Sequence, residues 1–229
     1  MTGGLESRRV LVVGGASGIG AAIAYAFRDA GSHVLTADLR GAGLTVDVTD
    51  EDSVRAMASA AGAVDVLVNS AGILTESPMV EMSLAQWQQT IDVDLTGIFL
   101  ACRHVVPGMV DRGWGRVVNV ASQLGIKGGV GMGHYSAAKA GVIGFTKALA
   151  QEVAPHGVLV NAIAPGPIET PMVAGISDTW KVAKRTELPL GRFGTTDEVA
   201  PTALLLASDP GGNLYVGQTL GPNSGDVMP

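Results

Sequence analysis

Tyr135 and Lys139 stand four residues apart in GHYSAAKAG, residues 133–141, with only Ser136, Ala137 and Ala138 between them. On a helix, positions i and i+4 share a face, so the phenol and the ammonium point the same way. A free phenol has a pKa of about 10, too high for a base at neutral pH. A cation about 4 Å away, at an effective dielectric of about 20, contributes about 4 kcal/mol, or about three pKa units before water screens it. The lysine can therefore turn the tyrosine into a general acid and base, although the same spacing is common as a surface pair. Ser122 adds a third group. It ends a strand in VVNVASQLG, residues 117–125, at the carboxyl edge of a sheet, where open α/β folds place their ligands. A hydroxyl there can hold a substrate oxygen beside the phenol; its blander role is a strand-end turn serine.

A second group of residues suits an anion. VVGGASGIG, residues 12–20, sets Gly14, Gly18 and Gly20 in the spacing G-x-x-x-G-x-G between a strand and a helix. Glycine allows a tight turn and lets a pyrophosphate approach without a Cβ in the way. The helix N-terminus offers free N–H groups and a partial positive charge to that phosphate. Without a ligand, the same residues would make a tight packing turn. Asp38 ends the second strand, 18 residues after Gly20. An acid there accepts the ribose hydroxyls of an adenosine and repels a 2′-phosphate. Leu39 follows it and Ser17 precedes Gly18, neither of them a base, so NAD is favoured over NADP; Arg40 pulls in the other direction. Asp47 and Val48 end the third strand and suit the adenine edge. NSAG, residues 69–72, ends the fourth strand and brings small residues, Ala71 and Gly72 among them, where a cofactor would pass closely.

The elements that must position these groups alternate. Short apolar strands are read at 10–13, 33–37, 44–46, 64–68, 116–121, 158–164 and 218–220. Helical patterns run from Ile19 to Ala30, from Asp50 as a cap to Ala61, from Ser83 as a cap through one long helix to Arg112, from His134 to Val153, and from Asp197 to Ala207. Residues 165–194 are looser, with one short helix. This alternation implies an α/β fold: a single doubly wound parallel sheet of Rossmann type with helices on both faces. We read residues 1–229 as one domain. Only about six residues, 38–43, join the second and third strands. A parallel crossover usually contains a helix, and six extended residues reach only about 20 Å. That crossover is therefore expected to lack a helix, leaving the sheet less covered there.

Composition narrows the class. With 229 residues, 47% hydrophobic and 16% charged, the chain is long and apolar enough to bury a core and too apolar to be disordered. A net charge of −6 without a Lys/Arg cluster argues against nucleic acid or an anionic membrane as partner. MTGGLESRRV lacks the apolar stretch of a signal peptide, and no apolar run is expected to reach membrane-spanning length. The lone Cys102 rules out an internal disulfide and a cysteine metal cluster and reads as a buried, inert thiol; no metal site is expected. A cytoplasmic protein follows.

Over nearly its whole length the chain resembles the short-chain dehydrogenases/reductases. The glycine motif, Asp38, DVT at 47–49, NSAG, Ser122, Tyr135 and Lys139 fall in that family's order and spacing, as do VNAIAPGPIETPM at 160–172 and PLGRFGTTDEVA at 189–200. The resemblance implies hydride transfer between a nicotinamide and an alcohol or ketone. It implies that Tyr135 moves the proton, that Ser122 hydrogen-bonds the reacting oxygen, and that Lys139 lowers the tyrosine pKa and contacts the nicotinamide ribose. Pro165, Gly166, Ile168 and Thr170 would line the nicotinamide, Asn69 and Gly72 would flank the cofactor, and Ile19 would sit under the pyrophosphate turn. It also implies a homotetramer or homodimer built on the helix at 84–112 and the tyrosine helix.

The chain departs from the family pattern at three places. Val13 replaces a threonine before the glycines. The crossover helix is missing. Asp94, in VDLTG, replaces an asparagine that is the fourth member of the catalytic set; ionised near Lys139, it would offset part of the lysine's effect on Tyr135. Residues 171–190 resemble a variable substrate lid, apolar through Met172, Val173, Ile176, Trp180, Leu188 and Leu190. Leu124 and Ile126 add to the pocket, and the glycines 125, 128, 129, 131 and 133 leave the next loop open. Such a pocket suits a neutral secondary alcohol or ketone. Lys181, Lys184 and Arg185 either meet a phosphate of a carrier-linked substrate or form a solvated lid face. His134 either borders the pocket or lies on the surface, and Trp87 and Trp114 read as packing residues. Three functions stay open: an NAD-dependent alcohol dehydrogenase, an NADPH-dependent 3-oxoacyl-carrier ketoreductase, and a non-catalytic nicotinamide sensor.

Overall fold

The computed structural model describes residues 3–174 and 178–228; the expected lid residue Ile176 and the side chain of Met172 lie outside the described part. Seven parallel strands form one sheet in the order β3-β2-β1-β4-β5-β6-β7: β1 Arg9–Val13, β2 His33–Asp38, β3 Leu44–Thr45, β4 Val66–Asn69, β5 Gly115–Val120, β6 Val158–Ile163 and β7 Thr219–Leu220. Alternation along the strands divides the core. Leu11 and Val13 pack with α2 (Glu51–Ala61), α4 (Gly97–Arg112) and α6 (Gly133–Val153) on one face. Val10 and Val12 pack with α1 (Gly18–Asp29) and α9 (Thr196–Ala207) on the other. Burial on both faces is why these strands read as continuous apolar runs. The strand order reverses between β1 and β4, and a crevice opens there at the carboxyl ends.

Local signals place the helices. Asp50 caps α2 by accepting from the Asp52 N–H. Ser83 and Gln86 form a reciprocal capping box at α3 (Leu84–Ile91). As expected from its length, the segment between β2 and β3 contains no helix, and Leu35 on β2 stays 37% exposed.

The structure corrects four sequence expectations. The long helix is not uniform, because a π-helical turn, Asp92–Thr96, separates α3 from α4. Taken end to end, Leu84–Arg112 is also long and apolar enough to cross a membrane, contrary to the expectation that no run is; half of its most apolar window is buried inside the protein, as in a core helix. The loop after Ser122 carries a short helix, α5 (Leu124–Lys127), and the described residues of 165–194 carry two, α7 (Pro171–Ala174) and α8 (Asp178–Glu187).

Candidate active site

A cleft of about 1190 Å³ runs along the carboxyl ends of the strands. Gly14, Ser17, Gly18, Ile19, Asp38 and Leu39 line one end, and Ser122, Tyr135, Lys139, Val173 and Trp180 line the other. Asp47, Val48, Ala71, Gly72, Asp94, Pro165, Gly166, Ile168 and Thr170 complete the walls between them. Two of the expected cofactor residues do not line it. Gly20 lies inside the turn, where an added Cβ would sit 2.1 Å from the Gly14 carbonyl oxygen. Asn69 turns into the core and donates to Asn119 Oδ1 at 2.9 Å, while Asn119 donates to Thr146 Oγ1 at 2.9 Å. Its buried amide stitches strand to strand rather than facing a ligand.

The glycine turn fits a dinucleotide on steric grounds. Gly14 has φ +79, and a Cβ there would lie 2.3 Å from the Ala71 nitrogen. A Cβ at Gly18 would instead project into the gap facing Thr170, whose side chain is 3.7 Å away, and narrow the cleft where a diphosphate would pass. Asp38 is fixed at the same end: Oδ2 accepts from the Ala16 N–H at 3.1 Å and Oδ1 from the Leu39 N–H at 2.8 Å. An ionised carboxylate has about four acceptor sites, so two remain for ribose hydroxyls. Asp47 closes a small turn by accepting from the N–H and hydroxyl of Thr49, which hold its carboxyl below the usual carboxylate range.

At the other end, α6 carries Tyr135 and Lys139 on one face, with Lys139 Nζ 5.6 Å from the centre of the Tyr135 ring. Lys139 is buried and donates to the Val120 carbonyl at 3.0 Å. Ser122 lines the same end of the cleft as Tyr135 and accepts from the Leu124 N–H at 3.1 Å. Asp94 is fully buried in the π-helical turn. Its Oδ1 accepts from the Ile73 N–H at 2.8 Å, and its Oδ2 lies 3.3 Å from Lys139 Nζ. Gly72 leaves room for this pair, since a Cβ there would lie 3.1 Å from Asp94 Oδ2 and 3.4 Å from Lys139 Nζ.

The electrostatics correct the expected direction at Tyr135. Burial pushes the phenol above its ordinary value; Lys139 pulls it down, Asp94 pushes it up again, and Ser122 pulls it down. The sum is a raised pKa, where the lysine alone predicts a lowered one. Tyr135 nevertheless keeps partial exposure to the cleft, so water moderates the effect of burial. Burial likewise pushes the Asp94 carboxyl up, against the opposing pull of Lys139 and the Ile73 N–H. For Lys139, burial favours the neutral amine, but Asp94 and Tyr135 outweigh it and hold the ammonium above its usual range. Cys102, at the back of this site, is pushed up to about 12 by burial and is inert as a thiol.

Several expected pocket residues take other roles. His134 is neither at the pocket nor on the surface: it is fully buried, with Nε2 2.8 Å from Thr75 Oγ1. Leu124 lines the cleft, whereas Ile126 is 41% exposed, Leu188 is buried in the protein and Leu190 is 64% exposed. Gly125 is not an adaptable loop residue. A Cβ there would lie 2.6 Å from the Lys139 carbonyl carbon, so glycine is what lets α5 press against α6. The lid cations are engaged: Lys181 with Asp178 at 3.5 Å, Arg185 with Glu169 at 3.8 Å, and Lys184 with Glu187 and Asp226, each at 2.9 Å. Sequence reasoning missed Asp226, whose only signal is the turn-forming PNSG before it.

Comparison with known proteins agrees with this architecture. Residues 14–225 match a family model described as enoyl-(acyl carrier protein) reductase. The chain is 39% identical over 227 residues to a 3-oxoacyl-(acyl-carrier-protein) reductase of Aquifex aeolicus, covering 90% of this chain and 92% of that one. It is 42% identical to an acetoacetyl-CoA reductase of Shinella zoogloeoides, covering 97% and 99%. Among solved structures, a Beutenbergia cavernae protein described as a putative NAD(P)-dependent gluconate 5-dehydrogenase with bound NADP superposes with a TM-score of 0.92 at 34% identity, over 97% of each chain. The fold and the cleft define an oxidoreductase of the nicotinamide-cofactor class. The chain belongs to the short-chain dehydrogenase/reductase family.

Proposed function

We propose that this protein is an NAD-dependent dehydrogenase/reductase that interconverts a secondary alcohol and a ketone in the cytoplasm. One observation carries the reading: Ser122, Tyr135 and Lys139 meet in the same cleft that begins at the glycine turn and Asp38. Gly14, Ser17, Gly18, Ile19, Asp38, Leu39, Asp47, Val48, Ala71, Gly72, Pro165, Gly166, Ile168 and Thr170 would hold the cofactor, which when bound supplies or takes the hydride. Tyr135 gives its phenolic proton to the carbonyl oxygen in reduction and takes the hydroxyl proton in oxidation. Ser122 holds that oxygen by a hydrogen bond. Lys139 offsets the negative charge left on the phenol, and Asp94 keeps the buried ammonium charged and aimed. Residues 171–190 would form the lid of one domain spanning residues 1–229.

A second reading, an NADPH-dependent ketoreductase acting on 3-oxoacyl thioesters, is favoured by the names of the relatives and by the NADP in the similar structure. Against it stand Asp38, at the ribose end, and the lid cations, which are already engaged by acids. Nicotinamide absorbance during turnover, with each cofactor in turn against an acetoacetyl thioester and a panel of plain alcohols and ketones, separates the two. Faster turnover with NAD(H) is expected; a preference for NADPH would overturn the cofactor assignment. Tyr135→Phe should lose about 10²–10⁴ in kcat while still binding cofactor, the range for losing a positioned acid or base. If turnover is lost in that variant while all biological activity stays in place, the non-catalytic nicotinamide-sensor reading would win.

A further inference from the structure

The segment after β7 is docked onto the substrate end of the cleft. Gly166, in the loop after β6, donates its N–H to the Pro222 carbonyl at 3.1 Å, and Leu190, beyond α8, donates to the Ser224 carbonyl at 3.2 Å. Backbone meets backbone closely: a Cβ at Gly166 would lie 2.7 Å from Asn223 Cα, and one at Gly225 would lie 2.8 Å from the Pro189 ring. The turn passes through two left-handed residues, Ser224 at φ 57 and Gly225 at φ 83. A serine holds that conformation only where its surroundings impose it.

This turn delivers Asp226. Its side chain is 6% exposed and accepts from Lys127 Nζ at 2.7 Å, from Lys184 Nζ at 2.9 Å and from Gln123 Nε2. Burial alone would push its carboxyl up, yet the two ammonium groups outweigh burial and hold it below the usual carboxylate range. Gln123 adjoins Ser122, Lys127 ends α5 and Lys184 sits on α8, and all three line the cleft. One buried carboxylate therefore joins the strand end that bears Ser122, the helix packed against Lys139 and the helix of the proposed lid. None of its partners lies at the glycine turn or Asp38.

Resting on the dehydrogenase reading above, we propose that Asp226 is a positioning residue. Its carboxylate binds α5 and α8 into one wall and so sets how tightly the alcohol or ketone is held, leaving cofactor affinity alone. A charged acceptor holding two ammonium groups is needed, because charge-assisted hydrogen bonds are about twice as strong as neutral ones and an amide oxygen cannot balance two cations. Together with Glu187, which pairs with Lys184 at 2.9 Å, Asp226 offsets the charge of Lys127 and Lys184, which removes them as a landing site for an anionic substrate group.

The test compares Asp226→Asn, Lys184→Met and the double variant. Asp226→Asn should raise KM for the carbonyl substrate about tenfold while kcat stays within about threefold, the size expected for losing charge-assisted bonds. The dissociation constant for the reduced cofactor, read from its fluorescence, should stay unchanged. Lys184→Met should raise KM in the same direction, and the double variant should add little to Asp226→Asn, since both break one network. Amide hydrogen exchange over residues 178–190, with cofactor bound, should quicken in both single variants. That readout needs no turnover, so it separates failure of the latch from failure of the dehydrogenase reading. Unchanged KM with unchanged exchange overturns the proposal, and so does a parallel loss of kcat, cofactor binding and Tm, which marks a merely structural residue. If Asp226→Asn does not fold, Lys184→Met decides by the same measures.

Discussion

Tyr135 feels opposing pulls whose balance depends on one residue in which this chain departs from its family's pattern. Asp94 pushes the phenol up directly and holds Lys139 in its charged form. Replacing Asp94 with asparagine removes the negative charge and preserves the shape; as long as Lys139 stays charged in the variant, the phenol pKa should fall. Alcohol oxidation needs the phenol to accept a proton, so its rate declines as pH drops through that pKa. In Asp94→Asn the decline should come at lower pH, and just below the wild-type inflection the variant should oxidise faster. Profiles of kcat/KM against pH check this; superimposable curves would mean that Asp94 and Tyr135 are not coupled. The sequence placed Asp94 opposite Lys139 only through the family pattern, and no spacing in VDLTG announces the π-helical turn that aims it.

At the scale of elements, the site depends on close approach between short pieces. Helix α5 has four residues and is held by its contact with α6, which Gly125 permits, and by the bond from Lys127 to Asp226. Gly125→Ala forces the two helices apart near Lys139. Overpacking of this kind costs about 1–3 kcal/mol, and a displacement of about 1 Å can cost about 10²-fold in rate. We expect kcat/KM to fall by about 10²-fold while Tm drops by only several degrees; activity equal to wild type would show that α5 does not set the position of Ser122. Much of this scale was legible beforehand. Asp50, Ser83 and the glycine turn announced themselves through caps and spacing, and the short 38–43 connection ruled out a crossover helix. Helix α5 and the division of 165–194 were not legible, because four-residue helices are made by tertiary contact rather than by periodicity. The inward turn of Asn69 was hidden for a related reason: its partner Asn119 is 50 positions away.

At the scale of the molecule, α4 and α6 carry apolar surface that the described residues leave uncovered. Phe99 is 41% exposed and meets Phe145 edge to face, with ring centres 6.3 Å apart. This face suits a second copy of the chain, in keeping with the homotetramer or homodimer that the family resemblance implies, and a charge placed in it should weaken such an assembly. Phe99→Asp is expected to shift the protein toward monomer by light scattering at micromolar concentration, since an unpaired charge in an apolar contact is costly. An unaltered mass would move the interface elsewhere.

The bare connection between β2 and β3 gives the two ends of the cleft unequal freedom to change. Residues 39–43 are all exposed or half-exposed, so none of their side chains forms part of the core. A longer segment carrying arginines, grafted there with Asp38 removed, would offer a 2′-phosphate a counter-charge and leave the proton-transfer machinery untouched. The reaction centre has no such latitude, wedged as it is between helices that glycines alone let meet. In this protein the choice of cofactor is an interchangeable fitting, and the chemistry is built into the frame.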